Sequence, residues 1–166
     1  MKYTEDYLRS RDIDWFCVID GIYVHIASAG GLLPVEINDM EILRSNQRFV
    51  CELADIFTEE EIEVNRTFLA ARFGNQDGGN QDGGNQATEY YLESFLSMAR
   101  KGFVSLDRTN LADQDDNTYH VVCKPQHPRQ ISGLEDLCEF TSRTTDLLKQ
   151  VRGGIALLDE LTLIQK

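Results

Sequence analysis

Hydrophobic and polar positions are most regular between Trp15 and Ala27. Trp15-Phe16-Cys17-Val18-Ile19 and Ile22-Tyr23-Val24-His25-Ile26-Ala27 are two β-rich runs joined by Asp20-Gly21. An Asp-Gly pair between such runs predicts a two-residue type I′ hairpin. That turn sets Ile19 against Ile22, Cys17 against Val24 and Trp15 against Ile26. These six share one wholly apolar face, directed at the core. Phe16, Val18, Tyr23 and His25 share the other. Ahead of the hairpin, Tyr3–Arg11 reads as a short helix capped by Thr4, with Tyr3, Tyr7 and Leu8 on one side.

Ala29-Gly30-Gly31 breaks the second strand. Leu33–Ile37 then reads as a third, edge-like strand, where Pro34 is tolerable. Residues 39–57 fit two periods. Ile42, Leu43, Phe49, Val50, Leu53 and Phe57 make a helical stripe, with Asn38 and Glu41 as a capping box. Arg48–Leu53 also alternates as a strand, and Ser45-Asn46-Gln47 looks like a turn, so strand is favoured for 47–54. Thr58-Glu59-Glu60-Glu61 predicts a helix start, with acids against the positive end of the dipole, running to Phe73 and burying Ile62, Leu69 and Phe73.

Gly74 to Gln86 interrupts the pattern with a period-five repeat of Gly, Asn, Gln and Asp. It has no apolar residue to bury and reads as a flexible tether within a single domain of residues 1–166. Beyond it, a helix from Thr88 carries Leu92, Phe95, Leu96 and Ala99 and stops at Gly102. Phe103–Leu106 and Tyr119–Lys124 read as a second hairpin around the polar loop Asp113–Asn117. Ser132 and Glu135 make a capping box for a helix carrying Leu134, Leu137, Cys138, Thr141, Leu148 and Val151. Gly153-Gly154 interrupts it, and the segment 153–166 is apolar on nearly every side. It either docks under the domain or pairs with another copy, with Leu157, Leu158, Leu161 and Ile164 as its candidate interface residues.

The net charge of −12 repels phosphate backbones and anionic lipid, so nucleic acid and membrane surfaces are poor partners. The N-terminal residues are polar and do not read as a secretory signal, and no apolar run approaches a bilayer span. Cys17, Cys51, Cys123 and Cys138 are scattered among apolar neighbours and read as reduced core residues of a cytoplasmic protein.

Candidate chemistry is sparse. His120, Cys123 and His127 are metal-ligand types, but strand alternation sends His120 and Cys123 to opposite faces, which disfavours zinc. Cys17 and His25 fall on opposite hairpin faces, against a nucleophile pair. Asp113, Asp115 and Asn117 begin like a calcium loop but lack its glycine and closing glutamate. Asp77 and Asp82 are too few for a calcium shell. Ser28-Ala29-Gly30-Gly31 is not followed by a helix start, as a phosphate cradle requires. Asp12, Asp14 and Asp20 read as solvated strand ends. The sequence calls for no cofactor and no metal, and catalysis is the less favoured class.

The order of elements from Tyr90 to Leu148 gives a resemblance. A helix leads to Lys101-Gly102-Phe103-Val104-Ser105-Leu106, a loop, Tyr119-His120-Val121-Val122 and the Ser132-capped helix. This resembles the secretion-chaperone-like α+β fold of type III secretion chaperones and of the YbjN-type family of bacterial regulators. The resemblance implies a twisted antiparallel sheet with helices mainly on one face, and a homodimer that binds another protein chain. No motif carries over a functional residue. The expected function is therefore a non-enzymatic protein-binding module, chaperone-like or regulatory. A second expectation is a small-ligand protein or small enzyme with its site at Tyr23, His25 and Gly30-Gly31. A third is an acidic antitoxin or immunity-type inhibitor of a basic target.

Overall fold

A computed structural model describes residues 1–19, 21–74, 81–113, 119–129, 131, 134, 137 and 139–140. The chain folds as α1 (Glu5–Arg9), β1 (Asp14–Ile19), β2 (Ile22–Ala27), α2 (Met40–Glu52), β3 (Ile62–Val64), α3 (Arg66–Phe73), α4 (Gln81–Arg100), β4 (Val104–Arg108) and β5 (Tyr119–Pro125). The five strands form one sheet in the order β3-β5-β4-β2-β1. The two-residue segment β6 (Glu139–Phe140) pairs parallel with β1 at its far side.

The first hairpin has the register that its Asp-Gly turn dictates. Trp15 faces Ile26, Cys17 faces Val24 and Ile19 faces Ile22. All six enter one buried cluster with Leu8, Leu33, Ile37, Leu43, Val104 and Leu106. Full burial of such aliphatic side chains contributes about 1.5–3 kcal/mol each before entropy is counted. Phe16 belongs to the opposite layer, packed with Val50, Phe103 and Ile131. Phe57, Phe68, Leu69, Phe95 and Ala99 make a third cluster with Val122 and Cys123 of β5. Helix α2 reaches two of these layers, through Leu43 in one and Val50 in the other.

The class is α+β, but the sheet is mixed rather than antiparallel. Strands β2 and β4 run parallel, Val24 beside Val104 and Ile26 beside Leu106. Parallel neighbours need a long crossover. Here it is the whole passage α2-β3-α3-α4, which brings the chain back to its starting end.

Several local expectations fail for identifiable reasons. Leu33–Ile37 is not a strand. Ile37 and Asn38 both donate to the carbonyl of Pro34, closing a turn, while Leu33 and Ile37 are still buried. Residues 47–52 are helical, not extended. The cap of α2 is Asp39 rather than Asn38, its carboxylate accepting from Glu41 N at 3.0 Å and Ile42 N at 3.2 Å. Asn38 instead accepts from Tyr3 N and donates to Tyr3 O, tying down the N-terminus.

The helix expected from Thr58 to Phe73 is divided. Glu61 does accept from Thr58 N at 2.9 Å, but the turn is a short 3-10 helix, Glu59–Glu61, and Ile62–Val64 then adds to the sheet beside β5. Asn65 restarts the helix, accepting from Phe68 N and donating to Val121 O. Helix α4 begins at Gln81, inside the segment read as a tether 74–86. Of the helix expected from Ser132, Glu139–Phe140 is instead strand β6, and Ser132, Glu135, Cys138, Thr141, Leu148 and Val151 lie outside the described residues. Gly102 ends α4 as expected, at φ +102°.

Candidate functional site

Of the residues singled out for a site, His25 and Tyr23 border one aromatic layer through Phe16 and Phe103, while the Gly30-Gly31 turn packs on the end of α1. His25 is 2% exposed. Its Nε2 lies 3.2 Å from Asp14 Oδ1 and its Nδ1 lies 3.2 Å from Ser105 Oγ, while the Ser105 hydroxyl also faces the Phe95 carbonyl at 3.2 Å. Three adjacent strands thus line up a carboxylate, an imidazole and a hydroxyl, the residue types of an acyl-transfer relay. The arrangement lacks access. Ser105 is fully buried beneath α4, and the His25 ring is sandwiched by Phe16 and Phe95. The hydroxyl has one proton to share between His25 and Phe95. When it donates to Phe95, it can only accept from His25 Nδ1–H.

Tyr23 donates to the carbonyl of Ile131 at 3.2 Å, and its ring meets the edge of Phe103. Gly30 has φ +78°, and a Cβ there would come within 3.0 Å of the Arg9 carbonyl. Gly31 N donates to Ser28 O. The two glycines therefore serve a turn packed on the end of α1. Asp12 accepts from Ala29 N at 2.7 Å, closing the same turn.

Cys17 and His25 lie in different layers, as the hairpin register requires. Cys51 is exposed on α2, not a core residue, whereas Cys17 and Cys123 are buried. A bulge between Ser105 and Leu106 breaks the alternation of β5, so Val122 and Cys123 enter the same layer. Cys123 is thereby on the side where His120 stacks on Phe68, contrary to simple alternation. His120 also pairs with the Thr109 hydroxyl. No group of three or more metal-ligating side chains is assembled among the described residues. Asp20, Asp77, Asp115, Asn117, Cys138, Leu157, Leu158, Leu161 and Ile164 lie outside them.

The sequence reading missed a second polar cluster. Asp107, 4% exposed, accepts from Tyr91 Oη at 2.7 Å and pairs with Arg72 Nη1 at 3.1 Å through its Oδ2. Its Oδ1 accepts from Arg108 N. The Arg72 guanidinium lies over the Tyr91 ring at 5.0 Å. Burial raises the Asp107 carboxyl above its ordinary range, opposed by Tyr91 and Arg72. Burial likewise pushes the Tyr91 phenol far up, helped by the Asp107 charge. The available signal was an acid closing the apolar run Phe103–Leu106.

Helix α4 also borders an open groove of about 470 Å³. Leu92 and Leu96 supply apolar lining, and Tyr90, 82% exposed, stands beside them. Glu59, Glu89 and Glu93 bring negative charge against Arg100, the single lining cation among the described residues. Arg100 is already committed to Asp55 and Glu59, both at 3.2 Å. The groove therefore has an apolar lining and uncompensated carboxylates.

Comparison of the chain with protein-family models, with curated proteins and with solved structures gave no match. No helix among the described residues is long and apolar enough to cross a membrane.

Proposed function

We propose that this protein is a non-enzymatic protein-binding module whose α4 groove receives a cationic, partly apolar segment of a partner chain. The observation that carries this reading is the groove itself. Leu92, Leu96 and the exposed ring of Tyr90 offer apolar contact, while Glu89 and Glu93 offer charges without a salt-bridge partner among the described residues. Lys or Arg side chains fit such a site twice over, laying their methylenes on Leu and Tyr and their charged heads against Glu. The overall charge of −12 adds long-range attraction for the same partner. A chaperone-like or regulatory role, with a homodimer formed through 153–166, belongs to this reading.

The test is affinity capture at low and high salt with the native chain and with Glu89→Lys/Glu93→Lys, followed by cross-linking of any recurrent partner. The expected result is a partner cross-linked to α4 through a basic segment, lost in the charge-reversed protein. A partner held equally by both proteins, or cross-linked away from α4, overturns the assignment.

A further inference from the structure

Among the described residues, the most unusual side chain is that of Arg108, at the end of β4. It is 1% exposed, yet among the described residues its Nε and Nη1 have no hydrogen-bond partner. Its Nη2 reaches only the carbonyl of Leu111, at 3.5 Å. Three N–H bonds of a permanently charged group are therefore buried and unused. Burying a cation without a counter-charge is among the most costly arrangements a fold can hold, and a guanidinium cannot escape it by losing its proton.

Two described carboxylates near this end of β4, Asp107 and Asp12, make other contacts. Asp107 uses its side chain on Tyr91, Arg72 and the Arg108 backbone N–H. Asp12 is taken by Ala29 N. Among the described residues, Arg108 makes no salt bridge. Register pairs it with Tyr119, whose layer also holds Leu106, Val121 and Trp15. Trp15 Nε1 is a further buried donor without a partner in that layer. Leu111, whose carbonyl meets Nη2, is itself an exposed residue.

We propose that Arg108 is the anchor of a binding site for a small oxyanion, a carboxylate or a phosphate. Such an anion supplies acceptor oxygens in the number and charge that the orphaned N–H bonds need. The site is separate from the α4 groove and carries the opposite charge preference.

The test is thermal unfolding of the full chain at constant ionic strength, with sodium chloride replaced stepwise by inorganic phosphate or by acetate. Circular dichroism follows folding. The fluorescence of Trp15, the only tryptophan, follows its layer. The expected result is a saturable rise in Tm, roughly 4–10 °C at about 100 times Kd, with a matching change in Trp15 emission. Saturation by phosphate alone assigns a tetrahedral oxyanion, and saturation by acetate a carboxylate. Arg108→Met is expected to lose the saturable response. Should that variant not fold, Arg108→Lys keeps the charge but loses the planar donors, and its saturation shifts at least about tenfold. No rise in Tm overturns the proposal. So does a rise that is linear in concentration or identical in the variants, which is general salt stabilisation.

Discussion

At the scale of single residues, Asp107 ties three elements together through one carboxylate. Tyr91 on α4, Arg72 on α3 and the backbone of β4 all converge on it. Asp107→Ala leaves a buried phenol and a partly buried guanidinium without their acceptor, so it is expected to cost about 2–4 kcal/mol in urea unfolding. Tyr91→Phe removes only one charge-assisted bond and is expected to cost about 1.5–3 kcal/mol. Because the Asp107 carboxyl is raised on folding, its own titration favours the native state below its unfolded pKa. That contribution is lost as pH rises through the folded value. The cysteines separate in the same way. Burial pushes the Cys123 thiol up to about 12, so at pH 8 it is a neutral, inaccessible thiol, while Cys51 is exposed. Peptide mapping after brief alkylation at pH 8 is expected to find Cys51 modified and Cys17 and Cys123 untouched until the chain is unfolded.

At the scale of elements, the decisive residues are short polar caps. Asn65 holds the start of α3 and the backbone of β5 at once. Asn65→Ala is expected to cost about 1–2 kcal/mol, with hydrogen-exchange protection falling first in α3 and at the β3–β5 edge. Asp39 does the same for α2. Its carboxyl is lowered by the N–H groups of Ile42 and Glu41, so its stabilisation is present above the ordinary carboxylate range. It disappears as pH falls through the lowered value, and Asp39→Asn flattens that limb of the acid-unfolding curve. The caps also show why element boundaries were only partly legible. Thr4, Glu61 and Gly102 have the roles their residue types announce. Asn38 and Asp39 are both good caps, and only the bond from Asn38 to Tyr3, thirty-five residues away, selects Asp39 for α2. Ile62–Val64 suits helix and strand alike, and pairing with β5 decides it.

At the scale of the whole molecule, charge and apolar surface set the expected behaviour. The acidic groove predicts partner binding that weakens steeply with ionic strength, because exposed charges beyond a Debye length are screened. The proposed self-association is assigned to a different part of the chain, residues 153–166. Leu158→Glu/Leu161→Glu is expected to convert a dimer into a monomer in light scattering while leaving capture by the α4 groove intact. A monomeric native chain contradicts that outcome.

By itself the sequence determined the first hairpin, its register and its two faces, down to which side holds Cys17 and which holds His25. A two-residue turn and strict alternation are local geometry, complete within a dozen residues. The second hairpin, the end of α4 and the α+β class are legible for the same reason. Tertiary structure alone decided the parallel pairing of β2 with β4, since nothing in either strand encodes a neighbour eighty residues away. It alone aligned Asp14, His25 and Ser105, and then covered His25 and Ser105 with α4 while leaving Asp14 exposed. It alone brought Tyr91 and Arg72 to Asp107, and left Arg108 buried with its donors unmatched. Each of these depends on which strands become neighbours and which helix covers them, and that is set by long-range burial, not by the residues beside them in the chain.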